Sequence, residues 1–502
     1  MKPIERAISG WRTALGAASV ATDQRELAHY GMNVSGFAAR DLHAVLRPAS
    51  LDEVRGVIDI ARATGVRVHP VSTGRNWGFG SALPSRGPVA LVDLAGMSRI
   101  VDVDPRFRYA VIEPGVTQGQ LSRYLAEHGT RLKLNVTGAG TGTSIVGNVL
   151  DRGCGNLGAR ADDLLGIEAV LGNGGVVRTG LWHLPDHGNM IHHYPLGLGP
   201  DLRGLFVQSG FGIVTKIVLR LHPVAPLTVL TFEVAQAHLA EVVDALWLAK
   251  EDGVITGHLR ITDGTDPIIR YFGNTDPSVW KVQVVLNGIR PMRAEAEREL
   301  RRRLDGLVEH FVAADTEREQ PQPENTQERL LAQARLGLVN GTPSDRLLIG
   351  FADMAGKSVP PGSVDLDHDR DLPGMLCANV TLPFAGDHMA ACSSIVRAAA
   401  AEARMPTSQL YERAGPTALF GLFPFYFDRN DAHAVAAAHT YKNLLLRRLE
   451  AAGIYPVRMD VDSIDPFIER TDDDFWHCVA AIKRVLDPQD ILSGRYTPTA
   501  QS

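Results

Sequence analysis

The strongest periodic signal in the chain lies between Ser50 and Gly65. Val54, Val57, Ile58 and Ala61 recur there at helical spacing behind Ser50 and Glu53, a serine and a glutamate three residues apart. That pattern predicts an amphipathic helix opened by a capping box and closed at Gly65. The alternation then switches to a period of two over Val66 to Val71, a short strand that runs into the loop Gly74-Arg75-Asn76-Trp77-Gly78-Phe79-Gly80. Strands are expected at Val89 to Leu94 and Tyr109 to Glu113, and a helix at Gln118 to His128. A further strand, Leu132 to Val136, leads into a second loop, Thr137-Gly138-Ala139-Gly140-Thr141-Gly142-Thr143. Ile167 to Leu171 and Gly174 to Thr179 read as a hairpin about Gly172-Asn173.

After Pro223 the texture changes. Strands such as Trp280 to Leu286, Leu376 to Leu382 and Ala418 to Phe427 are each followed by a long stretch of helical period: Arg293 to Leu304, Met389 to Ala403 and Ala432 to Ala452. Such alternation suggests an antiparallel sheet backed by helices on one face, hence an α+β chain with a boundary after Pro223. A length of 502 residues is consistent with two to four domains.

Composition narrows the function. Hydrophobic residues are 45% and charged residues 22% of the chain, the balance of a globular protein, and a net charge of -6 gives no electrostatic footprint for DNA or RNA. The first twenty residues hold no apolar run of signal-peptide length, and nowhere do eighteen apolar residues run together, so a cytoplasmic protein without membrane partners is expected. Cys154, Cys377, Cys392 and Cys478 are scattered without a CxxC pair, so reduced thiols are expected and neither zinc nor a disulfide framework. His183, His187, His192 and His193 crowd a loop rich in Gly and Pro, but such a loop does not guarantee the facing geometry and supporting carboxylates a metal needs, so a surface loop is expected and no metal is assigned. Glu317 to Glu328 is polar enough to form an exposed loop.

The two glycine loops carry the chemistry. A glycine loop at a strand end lets backbone N–H groups approach a pyrophosphate, because no Cβ blocks the way and the amides point at the anion. Either loop alone is equally well explained by turn geometry. Neither matches GxGxxG with an acidic residue about twenty positions on, so nicotinamide is not supported.

Four segments taken in order are more specific: Pro70 to Gly80, Glu113-Pro114-Gly115-Val116-Thr117, Val146-Gly147-Asn148-Val149-Leu150-Asp151-Arg152-Gly153, and Gln208-Ser209-Gly210-Phe211-Gly212-Ile213-Val214-Thr215-Lys216. Together they resemble the vanillyl-alcohol oxidase and 4-cresol dehydrogenase family of flavoproteins, over about Trp11 to Pro223 and again at Asp487 to Tyr496. The resemblance implies a PCMH-type FAD-binding domain at 1–223, completed by about 457–502, and a substrate or cap domain at 224–456. It makes Ser72, Thr73, Gly74, Arg75, Asn76, Gly78, Gly142, Ser144, Gly147, Asn148, Ile213 and Arg495 candidates for holding FAD. Asp151 matches the family aspartate near flavin N5, where a carboxylate can accept a proton or favour positive charge; the alternative is an aspartate that caps a turn before Gly153. Arg495 resembles the family's late cation at the flavin pyrimidine edge, and Tyr455 joins these two as a candidate catalytic residue.

Departures from the family pattern bear on substrate. Phenol-oxidising members anchor phenolate with a Tyr in the first glycine loop and a Tyr-Arg pair late in the cap. Here the loop carries Phe79, and the pair reads Tyr455-Pro456 with the nearest arginine at Arg458. A simple phenolate would then be poorly paired unless Arg458 bends back. Phe79, Tyr455, Arg458 and Phe425, the last within the aromatic run Phe420 to Phe427, are the expected pocket residues; aromatics on such a strand are as readily core. The His or Tyr that tethers flavin in covalent members is missing from Met375 to Pro383, so FAD is expected to be dissociable, with a thioether to Cys377 as the alternative.

The expectation is therefore an FAD-dependent oxidoreductase that removes a hydride from an activated C–H or carbinol carbon of a small, aromatic substrate and passes electrons to oxygen or a protein acceptor, as a homo-oligomer. Two other readings stay open: a biosynthetic oxidase of a larger, non-phenolic natural product, and a flavin-binding protein that has lost catalysis. Retention of Asp151 and Arg495 argues against the latter.

Overall fold

A computed structural model describes residues 2–185, 190–264, 276, 278–317, 326–348, 367–372, 374–471 and 473–498. The first periodic segment is the helix Leu51–Thr64. Ser50 Oγ accepts from the Glu53 amide at 3.2 Å, and Gly65 ends the helix in the left-handed conformation, φ 69°. Its apolar stripe, Val54, Val57, Ile58 and Ala61, is wholly buried, as the spacing demands.

That helix delivers Val68–Val71 into a four-stranded sheet ordered Val20–Ala21, Leu42–Leu46, Val89–Asp93, Val68–Val71, with parallel pairing among the last three. The C-terminal segment returns to this sheet. The Val68 amide donates to Ile491 O at 2.8 Å and the Ser493 amide to Val68 O at 2.8 Å. A second, five-stranded antiparallel sheet contains Tyr109–Ile112, Leu164–Leu171, Val176–Arg178 and Gly212–Arg220, and the hairpin about Gly172-Asn173 pairs Ala169 with Val177.

From Leu227 to Arg458 the chain builds an eight-stranded antiparallel sheet. Leu239–Glu251, Gly386–Ala403 and Ala432–Ala451 cover one face, where Val242, Leu246, Met389, Val396, Leu445 and Leu449 meet the sheet in one core. The fold is thus α+β, with the expected helix-backed sheet. Strand alternation sorts the aromatic run Ala418–Tyr426. Phe423 and Phe425 point into the helix-backed core, Phe425 edge-on to Tyr441 with centroids 4.8 Å apart, whereas Phe420, Leu422 and Tyr426 belong to the opposite face.

His187 and residues 318–325 lie outside the described residues; the helix Thr326–Val339 takes in the last positions of the expected polar loop. His183 and His193 bond backbone carbonyls of their own loop, and His192 packs edge-on to Tyr109 and Trp182. Among the described residues no three side chains are grouped as metal ligands, and no helix is long and apolar enough to cross a membrane.

Candidate active site

A deep cleft lies where the two glycine loops, the strand Gly212–Arg220 and the C-terminal segment converge. With the solvent at its mouth it encloses about 1180 Å³. The first loop leaves Val68–Val71 and turns at Gly74, φ 69°. The amides of Ser72, Thr73, Gly74, Arg75 and Asn76 donate to none of the described residues. Five consecutive unspent N–H groups facing a cleft are an anion cradle of the kind a pyrophosphate fills.

The second loop locks onto the first. The Ser144 amide donates to Thr73 Oγ1 at 3.2 Å, and Ser144 Oγ caps the short helix Ile145–Leu150 by accepting from Gly147 N at 2.9 Å. A Cβ on Gly142 would push the Arg75 guanidinium aside, and one on Gly147 would push against Ser72 Oγ, so both glycines let first-loop side chains lie close. Asp345 holds the outer side of this loop through the Thr141 amide, 2.7 Å. Asp369 holds the first loop by accepting from Ser81 Oγ at 2.6 Å, Trp77 Nε1 at 3.1 Å and Val34 N at 2.7 Å. Its burial pushes the carboxyl up to about 6.

Of the candidates for FAD, Ser72, Thr73, Gly74, Arg75, Asn76, Ser144, Gly147, Asn148 and Arg495 all line the cleft. Ile213 does not. It is buried in the core beneath the first sheet, and its neighbours Gly212 and Val214 face the cleft instead, as strand alternation requires. Gly78 packs against Met375 and Cys377 of the cap sheet and not against the cleft. Gly142 serves through Arg75.

Asp151 follows the helix Ile145–Leu150 at the cleft's other end. Its carboxylate accepts from Arg458 Nε at 2.7 Å and Asn76 Nδ2 at 3.0 Å, and Arg495 Nη1 stands 4.0 Å away. The carboxylate caps no turn before Gly153, since both its hydrogen bonds go to side chains. Arg458 also bonds Asn76 Oδ1 and lies over the Phe79 ring, 4.5 Å from its centroid. Phe79 is therefore the platform of the cation, a stacking that a guanidinium favours.

Arg458 reaches this position through a bulge. On the edge strand Tyr455–Arg458, Pro456 pairs with Val380 and Arg458 with Asn379, so Val457 is the extra residue. Gln208 Nε2 bonds Val457 O at 2.8 Å, and the Tyr496 hydroxyl accepts from Met459 N at 2.8 Å. Burial pushes the Tyr496 phenol well up, with nearby Asp151 adding to the effect, so it stays a neutral strut. Arg458 thus does bend back to the cleft, over Phe79, but there it is paired with Asp151.

Two expected pocket residues lie elsewhere. Tyr455 pairs with Thr381 on the edge strand and is 54% exposed, outside the cleft lining. Phe425 is wholly buried in the cap core. Sequence reading also passed over His69. Its Nδ1 bonds Ser493 O, and burial together with Arg495 lowers it to about 4, so at neutral pH it is an uncharged ring facing the cleft. Lys483 was missed as well: wholly buried, it donates to Gly210 O at 3.0 Å and Leu492 O at 2.7 Å and is paired with Asp487, tying the C-terminal segment to the cleft floor. Cys377 is half-buried, and desolvation pushes its thiol up to about 12, far from the thiolate a thioether bond requires.

Residues 42–180 match the model of an FAD binding domain. The chain is 31% identical to 1'-carboxy-chondrochloren decarboxylase of Chondromyces crocatus, over 99% of this chain and 97% of that protein. It is 35% identical to the flavoprotein subunit of 4-cresol dehydrogenase [hydroxylating] of Pseudomonas putida, over 48% and 47% of the two. The chain belongs to the PCMH-type family of FAD-dependent oxidoreductases. Solved structures share the fold of this flavoprotein family along its whole length. p-Cresol methylhydroxylase and the 4-ethylphenol oxidase of Gulosibacter chungangensis both superpose with a TM-score of 0.87 at 21% identity, covering 100% and 99% of this chain and 98% of each of theirs. As a member of that family the chain is an FAD-dependent oxidoreductase, and the cleft with its five unspent amides has the donor set the cofactor needs.

Proposed function

We propose that the protein removes a hydride from an activated carbon of a small organic substrate held where the FAD cleft meets the edge strand of the cap sheet, with Asp151 and Arg458 beside the reacting carbon. The observation that carries this reading is the Asp151–Arg458–Asn76 network at the end of the cleft, where both domains contribute side chains. Bound FAD supplies the two-electron oxidant. The amides of Ser72 to Asn76 hold its phosphates, Arg495 gives fixed positive charge where negative charge develops, and FAD is retained without a covalent bond.

Asp151 is placed to take a proton or to stabilise positive charge on the substrate. Arg458 orients it while Asn76 fixes both, so little reorganisation is left for the reaction itself. A simple phenolate would have to win Arg458 from Asp151, which supports a substrate other than the simple 4-alkylphenols. Oxygen or a protein acceptor then takes the electrons.

A second reading is favoured by the whole-length match to a decarboxylase of a carboxylated natural product. In it the substrate loses hydride from the carbon next to the one that bears the carboxylate. The C–CO2 bond breaks, CO2 leaves, and the electron pair of that bond becomes a carbon–carbon double bond. Anaerobic mixing of holoenzyme with alcohols, alkylphenols and arylpropionates tests both readings. Bleaching of the flavin colour supports oxidation, and CO2 release in step with bleaching selects the second reading. A flavin that no compound of these classes bleaches contradicts both.

A further inference from the structure

Beyond Asp151 the chain folds back on the helix Ile145–Leu150. The short hairpin of Cys154–Gly155 and Gly158–Ala159 reverses its direction, and the Arg160 amide donates to Gly153 O at 3.0 Å. This sets the Arg160 side chain, 1% exposed, behind Asn148, where Nη1 donates to Asn148 Oδ1 at 3.2 Å. Gly153 leaves the room, since a Cβ there would fall 2.1 Å from Asn148 Oδ1. The other guanidinium nitrogens, Nε and Nη2, are buried and make no hydrogen bond among the described residues. Asp163, whose charge Arg160 feels, accepts instead from His222 Nε2 at 2.8 Å and Asn135 Nδ2 at 3.1 Å. Burial lowers the guanidinium to about 10, so it is still charged at neutral pH. A buried cation with one hydrogen bond is destabilising, and packing alone would be served better by an apolar side chain. The contact that this charge does make is with Asn148.

Asn148 faces the cofactor cleft. Ser144, Gly147, Asn148 and Asp151 all line it, and their spacing of i, i+3, i+4 and i+7 is one face of the helix with its two caps. On that face Ser144 is tied to the first glycine loop through Thr73, and Asp151 stands at the far end. Asn148 lies between them, about 6 Å along the axis from Ser144 and about 4.5 Å from Asp151. A guanidinium carries donors only, so the amide atom that meets Arg160 must be the oxygen, and the NH2 group is turned away from it. Asn148 Nδ2 has no acceptor among the described residues and borders the cleft.

We propose that Arg160 is a positioning residue for the flavin: it turns the Asn148 amide so that the NH2 group donates to an acceptor atom of the FAD ring system, and its buried charge polarises that donor. This rests on the reading that the phosphates lie at the Ser72 to Asn76 amides and the reacting end at Asp151, because the ring system is longer than the step from Asn148 to Asp151. Reduction by two electrons with one proton leaves negative charge on the ring. A donor fixed by a cation in a dry setting stabilises that charge without reorganisation. Arg160 thus raises the reduction potential from behind Asn148, without lining the cleft itself.

The midpoint potential of the holoenzyme, poised against a reference dye with no substrate present, tests this. Asn148→Ala and Arg160→Gln should each lower it, by roughly tenfold in the equilibrium constant or about 30 mV for the two-electron couple. The double variant should fall no further than Asn148→Ala alone, because Arg160 acts through that amide. Arg160→Lys, which keeps the charge without the fork, should shift the potential less. Should Arg160→Gln fail to fold or to keep FAD, Arg160→Lys carries the same test, its smaller shift again vanishing on the Asn148→Ala background. A merely structural Arg160 would lower the melting temperature and leave the potential of bound flavin unchanged. A charge acting directly on the flavin would add its shift to that of Asn148→Ala, and either result overturns the proposal. Equal, non-additive shifts in an enzyme whose flavin no compound bleaches would keep Arg160 in this role and remove the proposed oxidation.

Discussion

Asp151 and Arg458, 307 positions apart, share a 2.7 Å ion pair that joins the flavin-binding half of the chain to the cap sheet. Phe79 lies under the guanidinium, and Gln208 holds the bulge that lets Arg458 reach in. Because Asp151 already occupies this cation, simple phenolates gain little from it. 4-Cresol and vanillyl alcohol are expected to be poor substrates in steady-state assays, and ordinary efficiency with either would show that phenolate displaces Asp151.

Cofactor attachment is tested by acid precipitation. With the Cys377 thiol pushed up to about 12 and no His or Tyr in the strand Met375–Pro383, FAD should pass into a yellow supernatant. A yellow pellet would show a covalent link.

Asp369 makes stability depend on pH. Its folded-state carboxyl lies near 6, above the ordinary 3.8, so the folded state binds the proton more tightly and the buried carboxylate costs stability as pH rises from about 4 to 6. A shift of that size corresponds to a cost on the order of 3 kcal/mol. Melting of the unaltered protein against Asp369→Asn should show the variant gaining relative stability over this window. Parallel curves would contradict the assignment.

Lys483 and Asp487 form a wholly buried pair. Lys483→Met strands the Asp487 charge and should cost about 3 to 5 kcal/mol, whereas Lys483→Met with Asp487→Leu should recover most of it. Thermal melting and FAD retention read both effects, because this pair ties Gly210 to Leu492 at the cleft floor. Equal losses in the single and double variants would show that the pair matters through its packing and not its charge.

Much of this architecture was legible from period and punctuation alone. The helix Leu51–Thr64, the strands Val89–Asp93 and Met375–Pro383, and the helices Gly386–Ala403 and Ala432–Ala451 fall within a few residues of where the pattern puts them, because each buries one stripe or one face. The glycine loops were legible because a tight turn beside a close neighbour admits no Cβ. What remained hidden depends on contacts between distant segments. The aromatic run Phe420 to Phe427 shows a strand but not which alternate set faces the core, and so Phe425 was misplaced. The bulge at Val457 depends on Gln208, 249 residues earlier, so adjacency in sequence favoured Tyr455 over Arg458.

The most direct test of the account is anaerobic stopped-flow reduction of Asp151→Asn, using whichever compound bleaches the unaltered holoenzyme. The variant should keep its FAD, since the backbone amides of Ser72 to Asn76 proposed to cradle the cofactor do not depend on the Asp151 carboxylate, and flavin reduction should slow roughly a hundredfold or more, the scale of a lost acid–base or charge-stabilising group. Reduction at the unaltered rate, with FAD bound, would contradict a place for Asp151 at the reacting carbon.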